Sequence, residues 1–181
     1  MMNIYSVPKY FNTAGPSQDD IHYTLDPLRR INYEEISFLV DQRKYFVLHA
    51  PRQTGKTTSL LAMVKKINEE GRYLCVYINV EPAQTERNNI SGAMRIIVGI
   101  LARQAEFFLG DSGLLEAMNG ILETSGNGAF GAALAFLSKR DPRPLVLFID
   151  EIDSLIGDTL VSVLRQLRGD TRIVRGVFWP R

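Results

Sequence analysis

The sequence is poor in the side chains that build disulfide frameworks and zinc sites: it has one cysteine, Cys75, and two histidines, His22 and His49. A lone thiol closes no internal disulfide, and two imidazoles with one thiol give no zinc-ligand constellation. His49 is read as a packed residue at a strand end. Cys75 falls inside the apolar run 74–80, where a small buried thiol is expected, and a reducing cytoplasm fits it. An excess of one charge is missing too. The formal net charge is +1, and Lys and Arg are scattered, so there is no electrostatic footprint for a nucleic-acid backbone or an anionic membrane. Long hydrophobic runs are absent: the longest, around 96–102, is far shorter than a membrane span, and the N-terminus lacks the basic-then-apolar order of a signal peptide. A soluble cytoplasmic protein is the expectation.

What is present suits one globular domain, since 181 residues with 45% hydrophobic side chains can bury a full core. Residues 1–27 mix Asn, Gly, Pro, Asp and aromatics without a period and read as an extended lead-in packing on the core, 28–181. Asn32 is placed to cap a helix over 33–42, with Glu34 and Glu35 at its positive end. Residues 45–49 read as a buried strand. Leu60, Leu61, Val64 and Ile67 mark the face of the next helix, and Gly71 is placed to end it with a left-handed cap. A strand over 73–80 follows, then a long amphipathic helix over 85–109, a shorter one over 114–122, and a loosening at 126–131. A helix resumes over 132–137, Pro142 and Pro144 break it, 145–149 has the length and apolar content of a strand, and 155–167 is a last helix. Strands alternating with helices predict an α/β fold, a three-layer α/β/α sandwich around a mostly parallel sheet with both faces covered.

The turn between the first strand and the helix after it reads Ala50-Pro51-Arg52-Gln53-Thr54-Gly55-Lys56-Thr57-Thr58. Strand, glycine-bearing turn and helix start are the context the Walker A phosphate loop requires. A phosphate chain carries several negative charges, and backbone N–H groups from Gln53 to Thr58 at the positive end of a helix suit it. Gly55 lets the backbone approach, Lys56 reaches the terminal phosphates as a compact cation, and the Thr57 hydroxyl suits a magnesium ion. Ala50 replaces the first glycine of the pattern; Pro51 confines its predecessor to extended backbone, which alanine adopts freely. Arg52 either touches a phosphate or points to solvent. The plain alternative is a Gly-Lys-Thr that opens a helix by chance.

A second stretch answers the first. Leu145-Val146-Leu147-Phe148-Ile149-Asp150-Glu151 is an apolar strand ending in two carboxylates, and the carboxyl ends of parallel strands are where open α/β sheets place ligands. In this Walker B reading Asp150 holds magnesium, and Glu151 accepts a proton from the attacking water or orients it. A solvated turn is the bland alternative. Asp153 and Ser154 read as caps of the following helix. No Asn-Lys-x-Asp guanine signature occurs, so ATP is favoured over GTP.

The segment Phe148-Ile149-Asp150-Glu151-Ile152-Asp153-Ser154-Leu155 resembles the Walker B segment of AAA-type P-loop ATPases, and Pro51 stands where their cradle often carries proline. With Phe11-Asn12-Thr13-Ala14-Gly15-Pro16 and His22-Tyr23, the chain is most similar to a group of microbial AAA-like ATPases related to the archaeal-type and signalling ATPases. The resemblance implies one further strand between the Walker A and Walker B strands, carrying a polar sensor residue near the γ-phosphate. Residues 172–179 are the sole candidate, and they lack a sensor-type Asn or Thr at the far end. The family's helical lid and arginine finger have no place in the sequence, so either this tail fills the gap in the sheet or the chain is C-terminally truncated. Arg165, Arg168, Arg172 and Arg175 read as solvated rather than as a finger. By analogy with the family, Tyr23 and 25–28 would line the adenine.

The leading expectation is a magnesium-dependent ATP hydrolase, weak in isolation, that couples its cycle to conformational change in attached domains, an effector protein or further copies of itself. The alternatives are a switch that holds ATP or ADP with little hydrolysis and, from a different class, a small-molecule kinase. The Asp-Glu pair favours water as acceptor.

Overall fold

A computed structural model describes residues 8–13, 20–23, 26–50, 55–168 and 173–180. Pro51, Arg52, Gln53, Thr54 and Arg172 lie outside the described residues, as do most of the lead-in and the side chains of His49 and Arg175.

Helix α1 (Tyr33–Asp41) begins where expected, because the Asn32 side chain accepts the Glu35 N–H at 3.3 Å and satisfies one free donor of the first turn. Strand β1 (Tyr45–Ala50) leads to α2 (Lys56–Glu70), which Gly71 ends at φ 71°. Strand β2 (Leu74–Asn79) is followed by a short 3-10 helix, Glu81–Glu86, then α3 (Ile90–Leu109), α4 (Leu114–Ser125) and α5 (Ala129–Arg140). Strand β3 (Leu145–Asp150), a 3-10 turn at Ile152–Ser154, α6 (Gly157–Leu167) and β4 (Ile173–Pro180) complete the order.

The four strands form one parallel sheet in the order β1-β4-β3-β2. The last strand thus lies between the two that end in the sequence motifs, and the tail fills the gap. Side chains alternate across the sheet with the period of two that pleating imposes. Cys75, Tyr77, Val146 and Phe148 pack with Ile36, Val40, Leu60, Met63, Val64 and Ile67 of α1 and α2. Leu74, Val76, Ile78, Leu145, Leu147 and Ile149 pack on the other face with α3, α5 and α6. Burial on both faces explains why β2 and β3 are largely apolar up to their last residues, Asn79 and Asp150. Gly176 of β4 is needed at this crossing, since a Cβ there would stand 2.5 Å from the Phe148 ring and 2.9 Å from the Phe46 ring.

The outer edge of β2 is partly satisfied by a side chain. Asn68 of α2 donates to the Cys75 carbonyl at 2.8 Å and accepts the Cys75 N–H at 2.9 Å, so one amide replaces a neighbouring strand at that residue. Cys75 itself is buried, and desolvation pushes its thiol well up.

Several boundaries differ from expectation. Residues 45–49 are not a buried strand: Tyr45 is 47% and Val47 41% exposed, because β1 sits at the sheet's edge among the described residues and only the Phe46 face is covered. The helix expected from 85 starts at Ile90, after the Pro82-bearing 3-10 helix and Arg87 at φ 47°. The loosening at 126–131 is confined to Gly126–Gly128, and α5 resumes at Ala129. Asp153 and Ser154 do not cap α6. They lie in the preceding 3-10 turn, and the first N–H groups of α6 are taken from another direction: the Asp158 N–H by Asn88 Oδ1 at 3.2 Å and the Thr159 N–H by the Arg87 carbonyl at 3.3 Å.

In the lead-in, Tyr10 and His22 form a parallel bridge and stack edge to face at 4.8 Å. Pro27 opens a 3-10 helix, Pro27–Arg30, whose first carbonyl accepts the Ser59 hydroxyl of α2 at 3.2 Å. No helix among the described residues is long and apolar enough to cross a membrane.

Candidate functional site

The carboxyl ends of β1 and β3, separated by β4, frame the site. Gly55 stands at φ 78°, ψ 25°, a left-handed conformation that glycine adopts without a Cβ penalty, and it turns the chain into α2. No side chain caps that helix start among the described residues. The N–H groups of a helix's first turn point out of its end, and the helix dipole there favours an anion. Lys56, Thr57 and Thr58 follow in that turn and are half-buried.

The Thr57 hydroxyl donates to Asp150 Oδ2 at 3.1 Å, so the two motifs, 93 residues apart in sequence, meet directly. Asp150 is only 1% exposed at the end of β3. A carboxylate so buried needs donors, and it has three: the Glu151 N–H reaches Oδ1 at 3.0 Å, and Oδ2 accepts from Thr57 and from the Tyr77 hydroxyl, also at 3.1 Å. Tyr77 is itself 9% exposed, and its phenol is raised by burial and by the neighbouring Asp150, which keeps it a donor.

Glu151 takes φ 56°, ψ 36°, the left-handed region in a residue that carries a Cβ. Such a conformation costs roughly 1–2 kcal/mol and is found where the surroundings enforce it, functional sites among them. Burial, and next the charge of Asp150, raise the Glu151 carboxyl above its ordinary range; Lys56 acts in the opposite direction, and Asp153 and Glu81 add smaller raising effects. Lys56 and both acids thus share one electrostatic neighbourhood. A carboxylate with a raised value is the better proton acceptor near neutral pH.

The donor set suits magnesium more than zinc. Among the described residues no three of His, Cys, Asp and Glu gather as a metal cluster. Magnesium, however, takes one or two protein oxygens and fills the rest of its octahedron with water and phosphate oxygens, which is what Thr57 and Asp150 can supply.

Of the expected site residues, the structure brings Thr57, Asp150, Glu151 and Lys56 together, with Gly55 and Thr58 beside them, while Gln53 and Thr54 lie outside the description. Tyr23 is exposed and packs against Phe11 with ring centres 5.2 Å apart. Arg165 and Arg168 are exposed at the far end of α6, eight or more residues beyond its start and thus about 12 Å or more along the axis. Sequence reasoning missed Tyr77. Its signal was a single hydroxyl in an otherwise apolar buried strand, since a buried phenol usually finds a partner.

No protein-family model matches this chain, and no curated protein matches it either.

Proposed function

We propose that the chain binds ATP with magnesium and hydrolyses it to ADP and phosphate, on a P-loop nucleoside-triphosphatase fold of the AAA type. The observation that carries this reading is the Thr57–Asp150 hydrogen bond, which joins the start of α2 to a buried acid with Glu151 next to it. The parallel sheet, with β4 between the motif strands and helices on both faces, supports the fold assignment.

In this reading the α2 N–H groups and Lys56 hold the phosphates. Thr57 and Asp150 would hold magnesium, which would supply charge neutralisation. Glu151 receives the proton of the attacking water, and its raised carboxyl equips it for that step. The cycle would drive conformational change in partners or attached domains.

One observation favours a second reading, a nucleotide-gated switch with little hydrolysis of its own. Arg165 and Arg168 sit at the C-terminal end of α6, about 12 Å or more along its axis from its start, and an arginine finger contributes roughly 10³ to 10⁵ in rate in related chemistry.

Calorimetry of the chain with ATP and magnesium tests the binding, which Lys56→Ala should weaken at least tenfold. Glu151→Gln should retain ATP and abolish turnover. No heat at millimolar nucleotide would end the proposal; unchanged turnover in Glu151→Gln would remove that residue's role. Single-turnover phosphate release by the native chain separates hydrolase from switch, and faster transfer to an added metabolite than to water would point to a kinase instead.

A further inference from the structure

Three hydroxyl or amide hydrogens converge on Asp150, and one of them comes from neither sequence motif. Tyr77 lies on β2, level with Phe148 of β3, and Asp150 is two residues further along β3 on the same face. Tyr77 and Asp150 are therefore diagonal neighbours across adjacent strands, a separation that only a long side chain can span. The phenol does so, donating at 3.1 Å to the same Oδ2 that accepts from Thr57. Its ring is fixed in the core formed by α2 and the sheet, among Cys75, Val146 and Phe148. The hydroxyl is thus aimed at the carboxylate by core packing.

We infer that Tyr77 is a positioning residue for the magnesium-facing carboxylate: from the sheet side it holds Asp150 Oδ2 in line with Thr57 and so sets how much magnesium the site requires. The inference rests on the reading of Thr57 and Asp150 as magnesium ligands. Asp150 is placed locally by its strand's register and by the Glu151 N–H on Oδ1, and the remaining freedom of Oδ2 is taken up by its two donors, Thr57 and Tyr77. The Thr57 hydroxyl can offer a lone pair to a metal while its hydrogen stays on Oδ2, and Tyr77 gives that oxygen a second donor that is not itself a metal ligand. Tyr77 can anchor it because its ring is held in the core with Leu60, Met63 and Phe148. Outer partners of this kind typically alter metal affinity by 10- to 100-fold when removed.

The test is the magnesium dependence of ATP binding, read by calorimetry at fixed ATP over a magnesium series, with ATP in EDTA as the metal-free reference. Tyr77→Phe keeps the ring and deletes one oxygen. It should raise the half-saturating magnesium concentration about tenfold, leave ATP affinity in EDTA within twofold of the native chain, and show a native-like urea transition. Tyr77→Met, which also fills the space without a hydroxyl, should give the same shift. An unchanged magnesium requirement in a folded Tyr77→Phe or Tyr77→Met chain overturns the inference and leaves the proposed function standing, because Tyr77 is then core packing only. A native chain whose ATP binding ignores magnesium overturns the reading of Thr57 and Asp150, and this inference with it.

Discussion

Strands β1 and β3 carry the two halves of the site, yet they are held very differently. All six residues of β3 are buried, with β2 on one side, β4 on the other and helices over both faces. β1 is paired by β4, has its Phe46 face against α1 and α2, and leaves Tyr45 and Val47 exposed. The acid end is therefore set in the stiffest part of the sheet, where every contact opposes displacement. The end of β1 that leads to α2 rests on an edge among the described residues. Under the proposed function, that asymmetry would hold the carboxylate in place and leave the more accessible edge for a phosphate chain to enter and leave.

Truncating the two strands should expose the difference most strongly. Leu147→Ala in β3 removes a wholly buried side chain and should cost about 2–5 kcal/mol, whereas Val47→Ala should cost less than about 1 kcal/mol. Urea midpoints of the two variants at equal slope measure both. Similar losses would mean that β1 is covered in solution and that the comparison fails.

The central strand offers the next test. Gly176→Ala would place a Cβ 2.5 Å from the Phe148 ring, so ring or strand must move, at a cost of roughly 1–3 kcal/mol. If the ring is the obstacle, Phe148→Leu should absorb part of that cost, and the double-mutant cycle should show coupling of at least about 0.5 kcal/mol. Additive losses would place the strain in the β4 backbone instead. Phe46 also faces the new Cβ, at 2.9 Å, so relief by Phe148→Leu should be incomplete.

The same contrast explains what the sequence disclosed. Local chemistry was legible: Asn32 and Gly71 bound their helices, and Gly55-Lys56-Thr57 and Asp150-Glu151 each follow a strand, because caps and turns are decided by neighbours in the chain. The place of the tail in the sheet was left open between two options, since an apolar run states that a strand exists and not where it inserts. β1 was misread as buried for a related reason: Tyr45-Phe46-Val47-Leu48 is as apolar as a central strand, and only the sheet order shows that one face is uncovered. Contacts made at long range left no periodic trace. The Asn88 hold on α6, 70 residues away, displaced Asp153 and Ser154 from the capping role that their types suggested. Tyr77 likewise reaches Asp150 across strands, 73 residues along the chain.

The smallest expected effect concerns Glu151, whose carboxyl is raised by burial and by Asp150. The sign follows from proton counting. An acid raised in the folded state holds its proton when the unfolded chain has already lost it, so stability is lost as pH rises from the ordinary glutamate value, about 4.3, through the folded value. Without nucleotide or metal, Glu151→Gln should match the native chain below about pH 4 and become the more stable of the two as pH rises toward neutrality, reaching a plateau once the folded-state carboxyl has ionised. Urea midpoints across pH 3.5 to 8 in EDTA read this difference directly. A native chain that gains on Glu151→Gln with rising pH would mean that Lys56 outweighs burial and Asp150, making Glu151 an ion-pair partner of the cradle rather than an acid kept ready for a proton. On the rigid side of the site, then, function is expected to cost stability in proportion to how far ionised Glu151 is disfavoured there, while the exposed residues of β1 should show no such pH dependence.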